Sequence, residues 1–213
     1  MTHVTLETDG ALAIVTLDNP PQNRIGDQMA DELAGIVEAI ESGESRAVLL
    51  RAKGTDFSFG GDIMNWPEMS PRRLRATFDR YMSLFNRFER LPLPVITAVQ
   101  GLCFGGGLEL ATRADIIVAG ESARFGHPEQ SLGIVTVLGG VYRVAERAGR
   151  AFASEWASGL QRAPPARMLR TRPCCGSGPK PALPRRTAPC STSPCHYSRP
   201  KTCGAVSPPP STL

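Results

Sequence analysis

The sequence predicts an α/β fold across its first 157 residues, followed from residue 158 to 213 by a segment of another kind. Two observations carry that expectation. Short β-branched runs alternate with segments of helical apolar period as far as about Trp156, and beyond it the chain has no apolar period at all.

The elements follow in order. Val4 to Leu17, VTLETDGALAIVTL, reads as two strands around a Thr8-Asp9-Gly10 turn, which is a hairpin pattern. From Gln28 to Ile40 the spacing puts Met29, Leu33, Ile36, Val37 and Ile40 on one helical face, and Ala47 to Ala52 then reads as a buried strand. A longer helical pattern runs from Pro71 to Leu91, with Leu74, Phe78, Tyr81, Met82, Leu84, Phe85 and Phe88 as its apolar positions. After Pro92 and Pro94 comes a strand, Val95 to Val99. Leu108 to Ala114 reads as helix and Asp115 to Ala119 as strand. No internal repeat suggests a solenoid.

Whole-chain averages conceal the division. The chain of 213 residues carries a net charge of +4, yet residues 1–157 hold all 20 acidic and 15 of the 24 basic residues, while 158–213 hold nine basic residues and no acidic one. Five of the six cysteines and twelve of the nineteen prolines also fall in 158–213. Low hydrophobicity, many prolines and one-sided charge predict disorder there. Cys174, Cys175, Cys190, Cys195 and Cys203 lack paired CxxC spacing, so no zinc site is expected, and the three histidines of the chain add none. With no run of some ~18 apolar residues and no basic-then-apolar N-terminus, no membrane segment is expected and a cytoplasmic protein is.

Three stretches carry chemistry. Gly101-Leu-Cys-Phe-Gly105-Gly106-Gly107-Leu-Glu109 places three glycines between a strand and a helix, with Glu109 expected in the first helical turn. Unpaired N–H groups at a helix start can hold an anion or a developing oxyanion. No Gly-Lys-Ser/Thr follows, so this is not a phosphate loop. Phe57-Ser-Phe-Gly60-Gly61-Asp62-Ile63 puts a second glycine pair after a strand, and one N–H from each loop would make a two-donor hole for a carbonyl oxygen. Phe125-Gly-His-Pro-Glu129 supplies a carboxylate able to act with Glu109 as an acid/base pair. Taken singly, each stretch reads more readily as an ordinary turn or a solvated charge.

Together, in this order and spacing, they resemble the crotonase superfamily, the enoyl-CoA hydratase/isomerase group, over about residues 4–157. The matching pieces are Phe57 to Ile63, Pro94 to Gly101, Gly105 to Glu109, Ala114 to Ala119, and Phe125 to Glu129 with Leu132-Gly-Ile134. The resemblance implies a (ββα)n spiral core in which the N–H groups of Gly61 and Gly106 hold the thioester oxygen of an acyl-CoA. It implies Glu109 as the residue that activates water and Glu129 as the one that protonates C2 of a 2-enoyl-CoA. Two carboxylates at one site are expected to raise one pKa. Phe59, Gly60, Asp62 and Ile63 would meet the coenzyme A part of the substrate, with Arg24 and Lys53 near its phosphates. No separate cofactor or metal is expected, since coenzyme A enters with the substrate. A homotrimer or hexamer is expected of an intact chain.

Where the family continues into a C-terminal helical module, this sequence changes composition, so that module is expected to be absent or replaced by a disordered tail. The break resembles GC-rich DNA read in a shifted frame, with the junction between about Ser154 and Pro165; an uninterrupted frame on resequencing would count against that. The alternatives are an enoyl-CoA isomerase, or a non-enzymatic remnant whose basic tail binds nucleic acid or an acidic partner.

Overall fold

In the computed structural model residues 1–157 are described, so the expectations for 158–213 lie outside the described residues. Strands β1 (Val4–Asp9) and β2 (Leu12–Leu17) pair antiparallel with Asp9 opposite Leu12, the turn being made at Gly10, whose φ is 55°. That left-handed conformation is free of steric cost only for glycine.

Helix α1 (Asp27–Ser42) buries Met29, Leu33, Val37 and Ile40 and leads into β3 (Ala47–Ala52). Helix α2 (Pro71–Glu89) starts where Ser70 Oγ accepts from the Arg73 N–H and Pro71 occupies the first position. A proline is pre-shaped for that position and removes an N–H that would have no partner there. Its buried side is Thr77, Tyr81, Leu84, Phe85 and Phe88. Strand β4 (Val95–Val99), the short β5 (Leu102–Phe104), helix α3 (Gly105–Ala111), β6 (Ile116–Ala119) and β7 (Arg124–Gly126) follow, then α4 (Gly140–Ala148) and α5 (Arg150–Ala157).

The main sheet runs β1-β2-β3-β4-β6, antiparallel at the β1 edge and parallel elsewhere. Register lines up Val15, Leu50, Thr97 and Ile117 across four strands, all buried. Strands β5 and β7 pair parallel as a second small sheet, extended on one side by a bridge from Cys103 to Ser58.

The α/β class is therefore as expected, and the bounds of β3 and β4 coincide with the expectation. Three features differ. Helix α3 begins at Gly105, so all three glycines lie inside it and Glu109 is its fifth residue rather than part of the first turn. The small β5–β7 sheet was not foreseen, because three-residue strands are too short for alternation to register. Helix α4 was not foreseen either; glycines at 139, 140 and 149 bracket its few apolar residues.

Candidate active site

Strands β3, β4 and β6 run parallel, so the chain leaves each at the same edge of the sheet. Every chemistry-bearing stretch follows one of these carboxyl ends: 57–63 after β3, 101–109 after β4 and 124–129 after β6. Ligand crevices in parallel sheets form outside these ends for the same topological reason.

The two glycine loops meet backbone to backbone. A Cβ built on Gly60 would come within 2.9 Å of Phe104 O and 3.1 Å of Gly106 N, so nothing larger than glycine fits at 60, while one on Gly106 would meet Gly61 N in ordinary contact at 3.4 Å. The loop is held by Ser58, whose Oγ donates to Asn23 O at 2.6 Å and accepts from the Gly60 N–H at 3.1 Å. Ile25 N–H donates to Gly60 O and Asp62 N–H donates to Ile25 O, bonds that flank Gly61 without using its N–H. Gly106 is the second residue of α3, where a backbone N–H has no acceptor within the helix. Among the described residues neither N–H has a hydrogen-bond acceptor outside its own loop or helix, and the two lie side by side.

Glu109 is only 3% exposed, and its Oε1 accepts from the Leu138 N–H at 2.8 Å and the Gly140 N–H at 3.0 Å. Burial pushes its carboxyl up to about 7, and the Glu129 charge adds to the effect; the Gly140 and Leu138 amides and His127 oppose it without cancelling it. The expectation that one of the pair has a raised pKa is met at Glu109, with burial as the larger cause and the second carboxylate the lesser.

Glu129 lies in a 3₁₀ turn, Pro128–Leu132, directly after β7. Its Oε1 packs over Gly105, where an added Cβ would sit 2.7 Å away, and Gly105 itself has φ 48°. Its Oε2 is 3.3 Å from His127 Nδ1. That contact is close enough for an ion pair but is not aligned as a hydrogen bond, and both His127 ring nitrogens are buried without a hydrogen-bond partner. The imidazole packs against Trp156, ring centroids 4.8 Å apart, and against Gly140 beside Glu109.

Gly61, Gly106, Glu109 and Glu129 all border one cavity of about 770 Å³. Its walls are mainly apolar, with Trp66, Phe78, Tyr81 and Phe85 on one side. Of the residues expected to meet coenzyme A, Arg24, Phe59 and Ile63 border it. Arg24 Nε donates to Gln22 Oε1 at 2.7 Å. Gly60 and Asp62 serve in the backbone bonds to Ile25, and Asp62 Oδ1 also accepts from the Met64 N–H at 3.4 Å. Lys53 is not in the cavity wall; its Nζ is 2.6 Å from Asp18 Oδ2.

Several participants were not visible in the sequence. Leu138 and Gly140 act through backbone N–H groups, which no residue type announces. Asn23, with φ 48°, donates through Nδ2 to Lys53 O and Asp56 O, fixing the loop from below. Of the aromatic wall, Phe78, Tyr81 and Phe85 were legible as the apolar face of α2, while Trp66 lies in the 3₁₀ turn Trp66–Glu68 before it.

A parallel-sheet α/β protein that brings two free amides and two glutamates to one apolar cavity defines a class: a site built for a carbonyl that becomes an oxyanion beside an acid/base pair. Residues 7–169 match the family described as enoyl-CoA hydratase/isomerase, and the chain belongs to that family. It is 32% identical over 157 residues to a probable enoyl-CoA hydratase of Bacillus subtilis, covering 73% of this chain and 61% of that protein. It is 35% identical over 158 residues to a short-chain-enoyl-CoA hydratase of Clostridium acetobutylicum, covering 73% and 60%. Among solved structures, an enoyl-CoA hydratase of Thermoplasma volcanium superposes with a TM-score of 0.72 at 30% identity, covering 76% of this chain and 65% of that one. The chain spans about three fifths of the length of these curated relatives.

Proposed function

We propose that this chain carries the site of a lyase that adds water across the 2,3 double bond of a 2-enoyl-CoA. The observation that carries the reading is the convergence of two uncommitted amides, from Gly61 and Gly106, with two carboxylates on one cavity. The amides take the thioester oxygen and withdraw electron density from C3. Glu109 removes a proton from a water held between the carboxylates, and the water oxygen bonds to C3. The C2–C3 π electrons move toward the thioester oxygen as an enolate, which the two N–H groups stabilise. The pair reacts in the state that carries one proton, held by Glu129, which gives it to C2 as the enolate collapses; the proton taken from water stays on Glu109 and is returned through solvent. A base with a pKa near 7 is both ionised enough and basic enough for the first step.

The relatives' names support an acyl-CoA thioester as substrate. Assembly into a homotrimer or hexamer belongs to the same reading. Leu132 and Val135 at the cavity, and Tyr142 on α4, are exposed apolar or aromatic side chains that such an assembly, or further protein, would cover. Crotonyl-CoA hydration, followed optically beside a size measurement in solution, tests both. Glu109→Gln and Glu129→Gln are each expected to cut hydration by roughly 10²–10⁴-fold. Full activity in either variant would overturn the assignment.

A further inference from the structure

Below the cavity lies a cluster of charge that the chemistry above does not use. Arg113 is the largest fully buried side chain of the described residues, and Arg143 is 7% exposed. Both guanidiniums pair with one carboxylate, Glu89 at the end of α2: Arg113 Nη1 at 2.9 Å, and Arg143 through Nε at 2.9 Å and through Nη2. Burial alone would raise the Glu89 carboxyl, but Arg143 and Arg113 outweigh it and hold it below the usual carboxylate range. Two buried cations on one anion are a poor way to gain stability, because desolvation consumes most of the attraction. Their remaining donors indicate another role.

Arg113 Nη2 donates to Leu138 O at 2.6 Å, and Arg143 Nη1 donates to Gly139 O at 2.9 Å. The two amides that hold Glu109 Oε1 are those of Leu138 and Gly140. Gly139 O and Gly140 N belong to a single peptide group, so Arg143 grips one end of a plane whose other end donates to Glu109. A peptide polarised at its carbonyl is a better donor at its N–H. Gly139 itself has φ 87°, and Gly140 has no room for a side chain, since a Cβ there would sit 2.8 Å from Glu109 Cγ. Leu138 is packed in the core, but residues 139 and 140 have no side chain to aim the peptide between them.

We propose that Arg113 and Arg143, paired through Glu89, are positioning residues that act on the Glu109 carboxylate through the 138–140 backbone. They touch no substrate; they fix where Glu109 Oε1 rests and so where its other oxygen points. The inference rests on Glu109 being the base of the proposed reaction, but its test does not need turnover. The titratable groups facing Glu109 are Glu129 and His127, and those facing the cluster include Tyr142.

The test is the titration of the Glu109 carboxyl in the full chain by carbon-13 NMR, its signal assigned by its loss in Glu109→Gln. Arg143→Met frees Gly139 O, loosens the Gly140 N–H bond and removes a positive charge, and all three effects disfavour the carboxylate. The midpoint is expected to rise by ~0.5 pH unit or more. Arg143→Lys keeps the charge but not the fork that reaches Glu89 and Gly139 O together, so a smaller rise is expected. Arg87→Met breaks the Arg87–Glu41 pair elsewhere on α2 and is expected to leave the midpoint alone. An unchanged midpoint in folded Arg143→Met overturns the inference, as does one in Arg143→Lys should the Met variant fail to fold. Absence of hydration by the unaltered chain would instead sink the proposed function and leave the titration result standing.

Discussion

The Leu138 N–H donates to Glu109 Oε1 across 2.8 Å, bringing backbone from 29 residues further along the chain onto the carboxylate of α3. Gly140 donates to the same oxygen, and no protein donor among the described residues reaches the other. Glu109 is therefore anchored by one oxygen with the second left for chemistry. Holding it there has a thermodynamic consequence.

The folded-state pKa of Glu109, about 7, lies above its ordinary value of 4.5, so the native state binds the proton more tightly than the unfolded chain. The stabilising contribution is complete below pH 4.5 and is lost as pH rises through about 7. Glu109→Gln keeps a carbonyl oxygen for both amides but cannot ionise. It is expected to be more stable than the parent by on the order of 2–3 kcal/mol at pH 8, and to differ little at pH 4. Denaturant titrations at the two pH values check this.

On the proposed reaction the same group would set the acid side of activity. If Glu109 removes the proton from water it must be ionised, so kcat/KM for crotonyl-CoA hydration is expected to rise with pH through about 7. A flat profile from pH 5 to 8 would exclude Glu109 as the base.

Gly107 lies on Ser58, whose Cβ would be 2.5 Å from a Cβ at 107. Gly107→Ala must push the 58–61 loop away from α3, at a cost of about 1–3 kcal/mol, the usual range for overpacking. Because that loop carries Gly61, hydration is expected to fall more than stability does. Thermal melts compared with kcat/KM would separate the two effects.

Ser58→Ala removes the hydroxyl that links Asn23 O to the Gly60 N–H and leaves both buried groups without that partner. A loss of about 1–3 kcal/mol is expected, the cost of an unsatisfied buried group. KM for crotonyl-CoA is expected to rise, because the loop that carries Gly61 is no longer held in place.

Glu89→Gln breaks the two-arginine cluster. Its side chain is 18% exposed, so the loss is expected near ~2 kcal/mol, below that for breaking a fully buried pair. Because the Glu89 pKa is depressed in the fold, its contribution is present above the unfolded value and is lost as pH falls through the folded one. The deficit of the variant should therefore shrink below pH 4.5, which chemical denaturation across the acid range would detect.

Much of the fold was legible because period 2 and period 3.6 are written in side chains. Ala47–Ala52 and Val95–Val99 are apolar enough to be buried strands wherever they pair, and α1 and α2 have one apolar face each. The candidate site was legible where it uses unusual residues: three consecutive glycines, with glutamates at 109 and 129. Short elements were not. Leu102–Phe104 and Arg124–Gly126 become strands because they find each other, with Phe104 opposite Gly126.

By itself the sequence determined the longer strands and helices, the two glycine loops and the positions of the two candidate carboxylates, since these are properties of local side-chain pattern. Tertiary structure alone decided that the loops meet glycine against glycine, and that Lys53 turns to Asp18 rather than to the cavity. It also decided that Glu109 is buried and anchored by amides 29 and 31 residues away. The physical reason is that backbone donors are the same at every residue but proline. Which of them reaches a given carboxylate depends only on how parallel strands bring their ends together.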